Sequence, residues 1–449
     1  MTTKKTKDTE ANRLGGRLSR YAKVSTAVGG LAVKMAGERW LGLKLDRSEH
    51  AAELRVALGG LKGPLMKVAQ MLSTIPDAVP EEYATELAQL QADAPSMGWP
   101  FVKRRMAAEL GPDWQSRFKS FGQTAASAAS LGQVHKAETL AGDLVACKLQ
   151  YPDMQSAVEA DLKQLKLILA LFERVDPAFK TGQVQAEVAE RLREELEYSR
   201  EAQAMQLFKL MLEDEKAVHV PQVVRELSTK RLLTMHWLQG EKLFSLKQAP
   251  QKVRDQLAYN MFRAWYVPFY RYGVIHGDPH PGNYTAAKDH SINLLDFGCV
   301  RVFTPKFVAG VLELYHATRT NDADRAVEAY RSWGFKDLRK EVIDILNIWA
   351  RFVYGPILDD RVRLIDETKS GMYGRETARK VHFALRDVGG VEIPREFVFM
   401  DRAAVGLGSV FLHLRAEQNW YQLFNDLIAD FSTKDMAKRQ AAALAKFPL

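Results

Sequence analysis

The chain has 449 residues, 47% hydrophobic and 26% charged, which is the composition of an ordinary globular protein and gives room for two or three domains. Its net charge of +8 favours acidic partners such as phospholipid surfaces or nucleotides, although a solvated basic surface without such a partner is equally common. No apolar run reaches the roughly 18 residues of a spanning helix, and the two cysteines make no disulfide framework, so the sequence indicates neither an integral membrane protein nor a cross-linked secreted domain.

The N-terminal segment predicts a basic amphipathic helix. The first residues are polar and are followed by no apolar core of a signal peptide, which favours a cytoplasmic protein. From Leu14 to Met35, apolar residues recur at three- and four-residue steps among arginines and lysines. Such a helix either lies on an anionic membrane, which would make the protein peripheral, or packs on its own protein, and both interpretations stay open.

A second helical pattern follows at Leu54–Ser73. Its Lys67 and Gln70 are three residues apart and therefore share a helix face. Taken alone, such a pair indicates no more than a solvated face. Further helices are predicted at Glu81–Ala92 and Trp99–Leu110, the second of which ends at Gly111-Pro112.

Residues 118–149 change to short β-like runs. Val134–Ala137 and Leu144–Leu149 predict two strands joined by the turn Ala141–Asp143. The loop before them, Thr124–Gly132, takes the place of the glycine-rich loop that covers the phosphates in protein kinases, but it consists largely of alanine and serine. Alanine avoids positive φ, so this backbone would approach phosphates less closely. The alternative is a small-residue loop without a ligand, and spacing alone does not decide.

The next pattern is a long, heavily charged helix predicted at Gln183–Leu210. Its Glu194, Glu197 and Glu201 fall on one stripe by the helical period. A solvated face tolerates the repulsion between such carboxylates, and so does a face with cations opposite, which Lys148 and a metal ion would supply. The second interpretation gains weight because protein kinases pair a strand lysine with a helix glutamate.

The small lobe is predicted to end near Gly240, after strands at Val220–Val224 and Arg231–Trp237. Residues Thr234–Leu238 would be the hinge that meets the adenine, with Met235 and Trp237 as its contacts. Other helices are predicted at Asp161–Glu173, Val253–Tyr272, Thr304–Thr318 and Ala323–Trp333.

The stretch Gly273–Asn283, GVIHGDPHPGN, places Asp278 in a loop, because its two prolines lack the amide hydrogen that a helix needs. Asn283 follows Asp278 at the spacing of the catalytic loop in phosphoryl-transfer enzymes. A short apolar run then leads to Asp296-Phe297-Gly298. Together with the upstream Lys148, these pieces predict a nucleotide site.

Positioning and charge neutralisation do most of the work in phosphoryl transfer, and each candidate residue has such a role. Lys148 would hold the α- and β-phosphates of ATP or ADP, and Glu201 would keep that lysine extended. Asp296 would bind Mg²⁺, with Asn283 as a second ligand, since Mg²⁺ is a hard cation that prefers oxygen donors. Asp278 would orient an acceptor hydroxyl or a water and receive its proton.

A transition-metal site is the rival chemistry at this loop. His276, Asp278 and His280 alternate, so an extended backbone would point all three to one side, and such ligands suit zinc or iron. This interpretation leaves Lys148 and Asp296 unexplained. We therefore expect His276 to prop the loop and His280 to form a local hydrogen bond.

The segment after Gly298 is short. Only Cys299–Phe303 separate it from the next predicted helix start, and no Ala-Pro-Glu element follows. The long activation segment that protein kinases use as a peptide platform is missing from the sequence. A small molecule, a lipid or water is therefore favoured as the acceptor over a protein.

Several phrases of the sequence are similar to one family. They are KVAQMLS at 67–73, SAASLGQVHKA at 127–137, VACKLQYP at 145–152, EELEYSREA at 194–202, HGDPHPGN at 276–283, DFG at 296–298 and RAAVGLGSVFLHLRAEQNW at 402–420. With these phrases the chain resembles the UbiB/AarF/ADCK family of atypical, kinase-like proteins. The resemblance implies a two-lobe α+β fold like that of protein kinases, with a small β-containing lobe, a large helical lobe and an all-helical N-terminal extension over the active site.

The resemblance also implies roles for particular residues. The family's Lys-x-Gly-Gln signature is matched by Lys67 and Gln70, with Ala69 at the glycine place, and its Glu-x-Asp pair maps to Glu195 and Glu197, of which Glu197 is one methylene longer. The family's alanine-rich nucleotide loop aligns with Ser127, Ala128, Ala129 and Ser130.

From pattern and resemblance we predict a helical extension at 1–115, a kinase-like N-lobe with a helical insertion at 116–240 and a helical C-lobe at 241–449. The predicted activity is that of a Mg²⁺- and ATP-dependent atypical kinase or ATPase that supports ubiquinone or other isoprenoid-lipid metabolism. The predicted partners are a nucleotide, an isoprenoid or quinone-type lipid and an anionic membrane surface, without nucleic acid, and a homodimer is left open. The alternatives are a nucleotide-binding pseudokinase scaffold and a small-molecule phosphotransferase.

Overall fold

The computed structural model describes residues 97–128, 131–152, 154–175, 189–190, 192–336, 338–367, 375–388 and 394–449. The helices predicted at Leu14–Met35, Leu54–Ser73 and Glu81–Ala92 lie outside these residues, and so do Lys67 and Gln70. The chain divides into two compact units. Of the described residues, those up to Ser199 and Val224–His236 form the first unit, and those from Arg200 to Val223 and from Trp237 onward form the second. The domain limits at 115 and 240 stay predictions.

The regular elements are numbered in chain order. The strands are β1 Phe118–Phe121, β2 Ser127–Ala128, β3 Gly132–Thr139, β4 Leu144–Gln150, β5 Val218–His219, β6 Leu232–His236, β7 Glu241–Lys242, β8 Val274–His276, β9 Tyr284–Ala286, β10 Ile292–Leu294, β11 Val300–Val302, β12 Arg363–Leu364 and β13 Glu417–Gln418. The helices are α1 Trp99–Leu110, α2 Met154–Val175, α3 Tyr198–Met211, α4 Gln251–Tyr272, α5 Pro305–Thr320, α6 Ala323–Ser332, α7 Lys340–Tyr354, α8 Arg375–Asp387, α9 Arg395–Leu414, α10 Trp420–Ile428 and α11 Thr433–Lys446.

An antiparallel sheet in the order β1-β3-β4-β6, with β2 also paired to β3, forms the centre of the first unit. The hairpin β3–β4 confirms both predicted strands, and Gly142 in its turn adopts φ 93°, a conformation that glycine reaches without strain. Within β4, Val145, Cys147 and Leu149 are buried on one face of the strand, and Lys148 lies on the other face. Burial raises the pKa of the Cys147 thiol to about 12, so this cysteine is an inert core residue.

Helix α1 fixes the end of the strand that carries Lys148. It confirms the predicted helix at Trp99–Leu110 and ends at Gly111, whose φ is 94°. The buried Arg105 donates from Nε to the carbonyl oxygen of Gln150 over 3.1 Å and from Nη2 to that of Tyr151 over 3.3 Å. Because a buried guanidinium needs such acceptors, α1 and the end of β4 are held together.

The prediction of one continuous helix at Gln183–Leu210 is wrong. The chain forms a turn after Arg193, in which the amide of Glu197 donates to the carbonyl oxygen of Glu194 over 2.9 Å, and helix α3 begins at Tyr198. The amide of Tyr198 donates instead to Lys230 of the neighbouring segment over 3.2 Å. Burial of Leu192, Leu196 and Tyr198 stabilises this break. Glu194, Glu197 and Glu201 therefore do not share one helical stripe.

The second unit contains short sheets among its helices. One sheet has the order β5-β10-β9-β7, with β5 parallel to β10, and β8 pairs antiparallel with β11. The prediction of a strand at Val220–Val224 is wrong. The strand β5 ends at His219, the chain then passes Pro221, which has no amide hydrogen for a ladder, and only Val223 forms a single bridge.

Helix α4 leads directly into the candidate catalytic loop. It ends at Gly273, which adopts φ 65° and whose amide donates to the carbonyl oxygen of Phe269 over 2.8 Å. A left-handed glycine of this kind ends a helix sharply, so β8 starts at once. Further along, Thr304 accepts from the amide of Phe307 over 3.2 Å and Pro305 opens α5, which confirms the predicted N-cap. Among the described residues, no helix has both the length and the apolar character that crossing a bilayer requires.

Candidate active site

Strand pairing brings the predicted catalytic loop and the Asp-Phe-Gly segment together within the second unit. In the β8–β11 ladder His276 is opposite Val300. Next to it, the amide of Gly277 donates to the carbonyl oxygen of Cys299 over 2.6 Å. This pairing therefore holds the residues that follow β8 next to those that precede β11.

His276 props this loop, as predicted. Its Nε2 donates to the backbone oxygen of Asp296 over 2.5 Å, and its Nδ1 accepts from the amide of Asp278 over 3.3 Å. The ring is only 2% exposed and lies against the rings of Trp265 and Phe297. Both ring nitrogens are thus engaged with the backbone, which orients the loop and Asp296 relative to each other.

The rival transition-metal interpretation finds no support in this geometry. His280 accepts from the amide of Gly282 at Nδ1 over 3.1 Å, as predicted for a local hydrogen bond, and its side chain lies on the exposed side of the loop. Within the described ranges, no group of three or more His, Cys, Asp or Glu side chains is placed to hold a metal ion.

The structure brings Asp278 and Asn283 into direct contact. Asn283 donates from Nδ2 to Oδ2 of Asp278 over 3.1 Å and to its backbone oxygen over 3.2 Å. The hydroxyl of Tyr284 donates to the same backbone oxygen over 3.1 Å. Burial raises the pKa of the Tyr284 phenol, and the charges of Asp278 and Asp296 raise it further, so this hydroxyl keeps the proton that it donates.

Asp296 is held by the segment that it begins. Its Oδ1 accepts from the amide of Gly298 over 3.0 Å, which fixes the plane of the carboxylate. The neighbouring Phe297 is 1% exposed, and its ring centroid lies 5.3 Å from that of Phe208 on α3. The buried ring of Phe297 therefore anchors the segment directly after Asp296, the metal-ligand candidate.

Glu201 is buried, with 3% exposure, and it contacts the same segment. Its Oε1 accepts from the amide of Phe297 over 3.4 Å. Phe208 lies two helical turns further along α3 and packs on the Phe297 ring, so one face of α3 holds the Asp-Phe-Gly backbone and side chain. The sequence predicts Glu201 only as a partner of the strand lysine, and that role stays a prediction.

Within the first unit, Lys148 lies over an aromatic ring. It is opposite Val134 in β3 and Leu233 in β6, and its ammonium is 5.3 Å from the ring centroid of Tyr198. Tyr198 is 2% exposed. A Cβ added at Gly132 would lie 2.4 Å from the carbonyl oxygen of Leu149 and 2.7 Å from the Tyr198 hydroxyl, so glycine is needed there beside both β4 and the ring. A cation–π contact of this type holds the lysine in place.

The predicted nucleotide contacts are placed only in part. Ser127 and Ala128 form β2, are exposed and pair with Val134 and Gln133 of β3. Ala129 and Ser130 lie outside the described residues. Met235 is buried in β6 opposite Ala146, whereas Trp237 is half-buried and donates from Nε1 to Gln239 over 3.3 Å. Their contact with an adenine stays a prediction.

The family pair Glu195 and Glu197 lies in the turn before α3 and not on a helix stripe. Glu197 forms an ion pair with Lys230 over 2.8 Å, and both side chains are well exposed. An exposed pair of this kind contributes little to stability. The role of both glutamates therefore continues to rest on resemblance.

Sequence reasoning missed two residues that contact predicted site residues, one in each unit. Tyr198 precedes Glu201 by less than one helical turn, and Tyr284 directly follows Asn283. An aromatic side chain next to each predicted polar residue is the only signal that the sequence offers. Aromatic residues are so often core residues that the signal does not separate the two roles.

Comparison with known proteins assigns the chain to a family. Residues 89–330, more than half of the chain, match the family model described as the ABC1 atypical kinase-like domain. The chain belongs to the UbiB/AarF/ADCK family. The matched residues include Lys148, Glu201, Asp278, Asn283 and Asp296.

Two curated relatives of this family member illustrate the likeness. The atypical kinase COQ8, mitochondrial, of Saccharomyces cerevisiae is 30% identical over 277 residues, which are 61% of this chain and 55% of that protein. The protein ACTIVITY OF BC1 COMPLEX KINASE 3, chloroplastic, of Arabidopsis thaliana is 32% identical over 288 residues, which are 63% of this chain and 40% of that protein. The chain thus matches about half of the length of these relatives.

A solved structure supports the same assignment for the fold of this family member. The complex structure of Rv3197–erythromycin from Mycobacterium tuberculosis aligns with a TM-score of 0.60 and 27% identity, and the alignment covers 85% of this chain and 96% of that one. Together with the antiparallel sheet of the small lobe and the helical remainder, it confirms the predicted kinase-like α+β fold. The predicted position of the N-terminal extension concerns residues outside the described ranges.

Proposed function

We propose that this member of the UbiB/AarF/ADCK family is a Mg²⁺-dependent atypical kinase or ATPase. The observation that carries the proposal is the joint fixation of Asp278, Asn283 and Asp296. Asn283 donates to the Asp278 carboxylate over 3.1 Å, and His276 joins the loop to the backbone of Asp296 over 2.5 Å. Phosphoryl transfer requires such positioned oxygen ligands and little covalent chemistry from the protein.

The residues present suit Mg²⁺. A hard cation takes carboxylate and amide oxygens, which Asp296 and Asn283 offer. Because Asn283 commits its amide nitrogen to Asp278, its amide oxygen is the atom that remains for a cation. When bound, Mg²⁺ would neutralise charge on the nucleotide phosphates.

Asp278 is the proposed base. Its carboxylate is half-buried, accepts from Asn283 and is held by the loop that His276 props. Held in this way, it orients the hydroxyl of an acceptor or a water and receives the proton that this group loses. Lys148 contacts the nucleotide phosphates, and Glu201 supports it as an ionic partner. The remaining proposed nucleotide contacts are Ser127, Ala128, Ala129, Ser130, Met235 and Trp237.

The first prediction concerns the ring beneath Lys148. Tyr198→Leu removes the aromatic face, and we expect ATP to bind roughly twofold to thirtyfold more weakly, because a cation–π contact contributes about 0.5 to 2 kcal/mol. Tyr198→Phe keeps the face and serves as the matched control, with affinity close to that of the unchanged chain. Titration with ATP by isothermal calorimetry measures the difference. Equal affinities for the Leu and Phe variants would show that the ring does not position the lysine.

The short segment after Asp-Phe-Gly favours an acceptor other than a protein. Within Cys299–Phe303, Val300–Val302 form β11 and pair with β8, and α5 begins at Pro305. A chain segment that is used for this pairing gives no long platform for a peptide. Water, a small molecule or a lipid is therefore the proposed acceptor class.

The proposed setting is a membrane surface and isoprenoid-lipid metabolism, including that of ubiquinone. Support comes from the family resemblance, from the net charge of +8 and from the amphipathic pattern at Leu14–Met35. The two relatives described above are named as mitochondrial and chloroplastic proteins, respectively. For this chain we propose peripheral contact with an anionic membrane.

The test is ATP turnover with Mg²⁺, with and without anionic vesicles that contain a quinone-precursor mimic. We expect turnover that rises with vesicles, and Asp278→Asn should lower kcat by about 100-fold to 10,000-fold while ATP still shifts the thermal midpoint, because the base is lost and the ligands remain. Asp430→Asn changes an exposed aspartate and is the matched control. Nucleotide binding without turnover under every condition would contradict the enzyme and leave a pseudokinase.

A further inference from the structure

Helix α9 contacts the candidate catalytic loop at one glycine. It contains most of the phrase RAAVGLGSVFLHLRAEQNW, for which the proposed chemistry supplies no role. A Cβ added at Gly406 would lie 2.1 Å from Cγ of Pro279 and 3.2 Å from its Cβ. Carbon atoms in contact are about 3.5 to 4.0 Å apart, so the Pro279 ring occupies the place that any larger residue at 406 would need.

Pro279 transmits this contact to Asp278. The proline is buried, although Asp278 before it is half-buried and His280 after it is exposed. Its ring fixes φ, and apart from a change of ring pucker it cannot turn away from the contact. A displacement of the ring therefore moves the peptide that joins it to Asp278, whose backbone oxygen is the acceptor for Asn283 and Tyr284.

The helix cannot relieve the contact by moving away, because its C-terminal end is fixed to α4. Arg254 on α4 donates from Nη1 to the carbonyl oxygens of Leu414 and Arg415 over 2.9 and 3.1 Å. The ring of Phe411 lies 4.7 Å from that of Trp420, and both side chains are buried. Helix α4 also leads into β8, which precedes Pro279. Both α9, which carries Gly406, and the loop that carries Pro279 are therefore attached to α4.

We infer that Gly406 is a positioning residue for Asp278: it lets the Pro279 ring seat on α9 and so sets the position of the catalytic carboxylate. The inference rests on the proposed function, in which Asp278 is the base. It gives the phrase at 402–420 a role in the proposed chemistry of Asp278, which is distant in the sequence. The Gly406–Pro279 contact acts on the position of the base and involves neither Lys148 nor Asp296 directly.

Gly406→Ala tests this inference. The added methyl should displace the loop by on the order of 1 Å, and we expect kcat for ATP turnover to fall about tenfold to hundredfold while KM for ATP changes less than about twofold. Pro279→Ala removes Cγ, which makes the short contact, and the double variant Gly406→Ala/Pro279→Ala should regain the kcat of Pro279→Ala alone. Gly355→Ala is the matched control, since no atom lies within 4 Å of its added Cβ and its backbone is helical.

A second readout does not depend on ATP. Amide hydrogen exchange of the peptide that spans β8 to β9 should become faster in Gly406→Ala and return toward the Pro279→Ala rate in the double variant. An unchanged kcat, or losses that simply multiply in the double variant, would overturn the inference. If the unchanged chain does not turn over ATP, the proposed function fails, and the exchange pattern alone then decides whether Gly406 positions the loop. The double variant loses the 2.1 Å contact and keeps only the one to Cβ of residue 279 at 3.2 Å, which a small shift relieves, so we expect it to fold even if Gly406→Ala does not.

Discussion

Asp296→Asn is expected to remove the Mg²⁺-dependent part of the stabilisation that ATP gives to the protein. The carboxylate is fixed by the amide of Gly298 over 3.0 Å, and the Asn283 amide, the other candidate ligand, carries no charge. With a neutral amide at 296, neither of the two proposed cation ligands carries a charge. A ligand present at about 100 times its Kd stabilises a protein by about 2.7 kcal/mol, and most of that contribution should be lost.

The measurement is a thermal unfolding series with ATP alone, Mg²⁺ alone and both together. Asp278→Asn is the informative partner variant, because it should keep the Mg²⁺–ATP shift while losing turnover, whereas Asp296→Asn should lose both. Asp430→Asn again controls for an aspartate-to-asparagine change at an exposed position. An undiminished shift in Asp296→Asn would show that the cation is held elsewhere.

The parts of the site that depend on neighbouring residues could be predicted from the sequence. Asp278 and Asn283 lie in one loop, and the prolines and glycines around them allow few backbone conformations. Their hydrogen bond and the propping role of His276 follow from that local chemistry. The hairpin β3–β4 was equally predictable, because two short β-like runs flank the turn Ala141–Asp143, which contains a glycine.

The break before α3 could not be predicted in this way. No proline or glycine marks it, and the charged segment continues a good helical pattern. The break depends on partners that are distant in sequence, since the amide of Tyr198 donates to Lys230 and Leu196 packs with Val158 and Leu162 of α2. Tertiary contacts of this type override local propensity.

Contacts between segments that are distant in the sequence could not be predicted either. A glycine in a helix gives no sign of what it touches, so the seat of Pro279 on Gly406 appears only in the structure. The same holds for Glu201, whose helix position was evident but whose hydrogen bond to the amide of Phe297 was not. The sequence therefore identified the chemical groups, while the structure identified what holds them.

The ion pair between Glu215 and Arg263 is expected to contribute strongly to the stability of the second unit. Arg263 on α4 donates from Nε to Oε2 over 3.0 Å and from Nη2 to Oε1 over 2.5 Å, and the two side chains are only 19% and 14% exposed. The hydrogen bond to Glu215 raises the pKa of the Arg263 guanidinium, and an arginine stays charged in proteins even without such a partner. Removing its partner leaves a charge with little access to water.

Glu215→Ala should therefore lower the free energy of unfolding by about 3 kcal/mol, the lower end for breaking a buried pair. The double variant Glu215→Met/Arg263→Met should be less destabilised than Glu215→Ala, because it removes both charges and fills the space with apolar side chains. Urea unfolding of each variant measures the difference. As a control for the loss of an exposed pair, Glu328→Ala breaks the surface contact to Arg331 and should change stability by less than about 1 kcal/mol.

The position of this ion pair gives the prediction a functional consequence. Glu215 lies between the end of α3 and β5, and β5 pairs with β10, the strand that leads to Asp296. Loosening this connection releases the C-terminal end of α3, and with it Phe208 and Glu201, which hold the Asp-Phe-Gly segment. We therefore expect Glu215→Ala to raise amide exchange in α3 under native conditions and to weaken Mg²⁺–ATP binding, and we expect the double methionine variant to restore both. If the amides of α3 stay protected from exchange while the free energy of unfolding falls, the ion pair stabilises only the second unit as a whole and has no part in positioning Glu201.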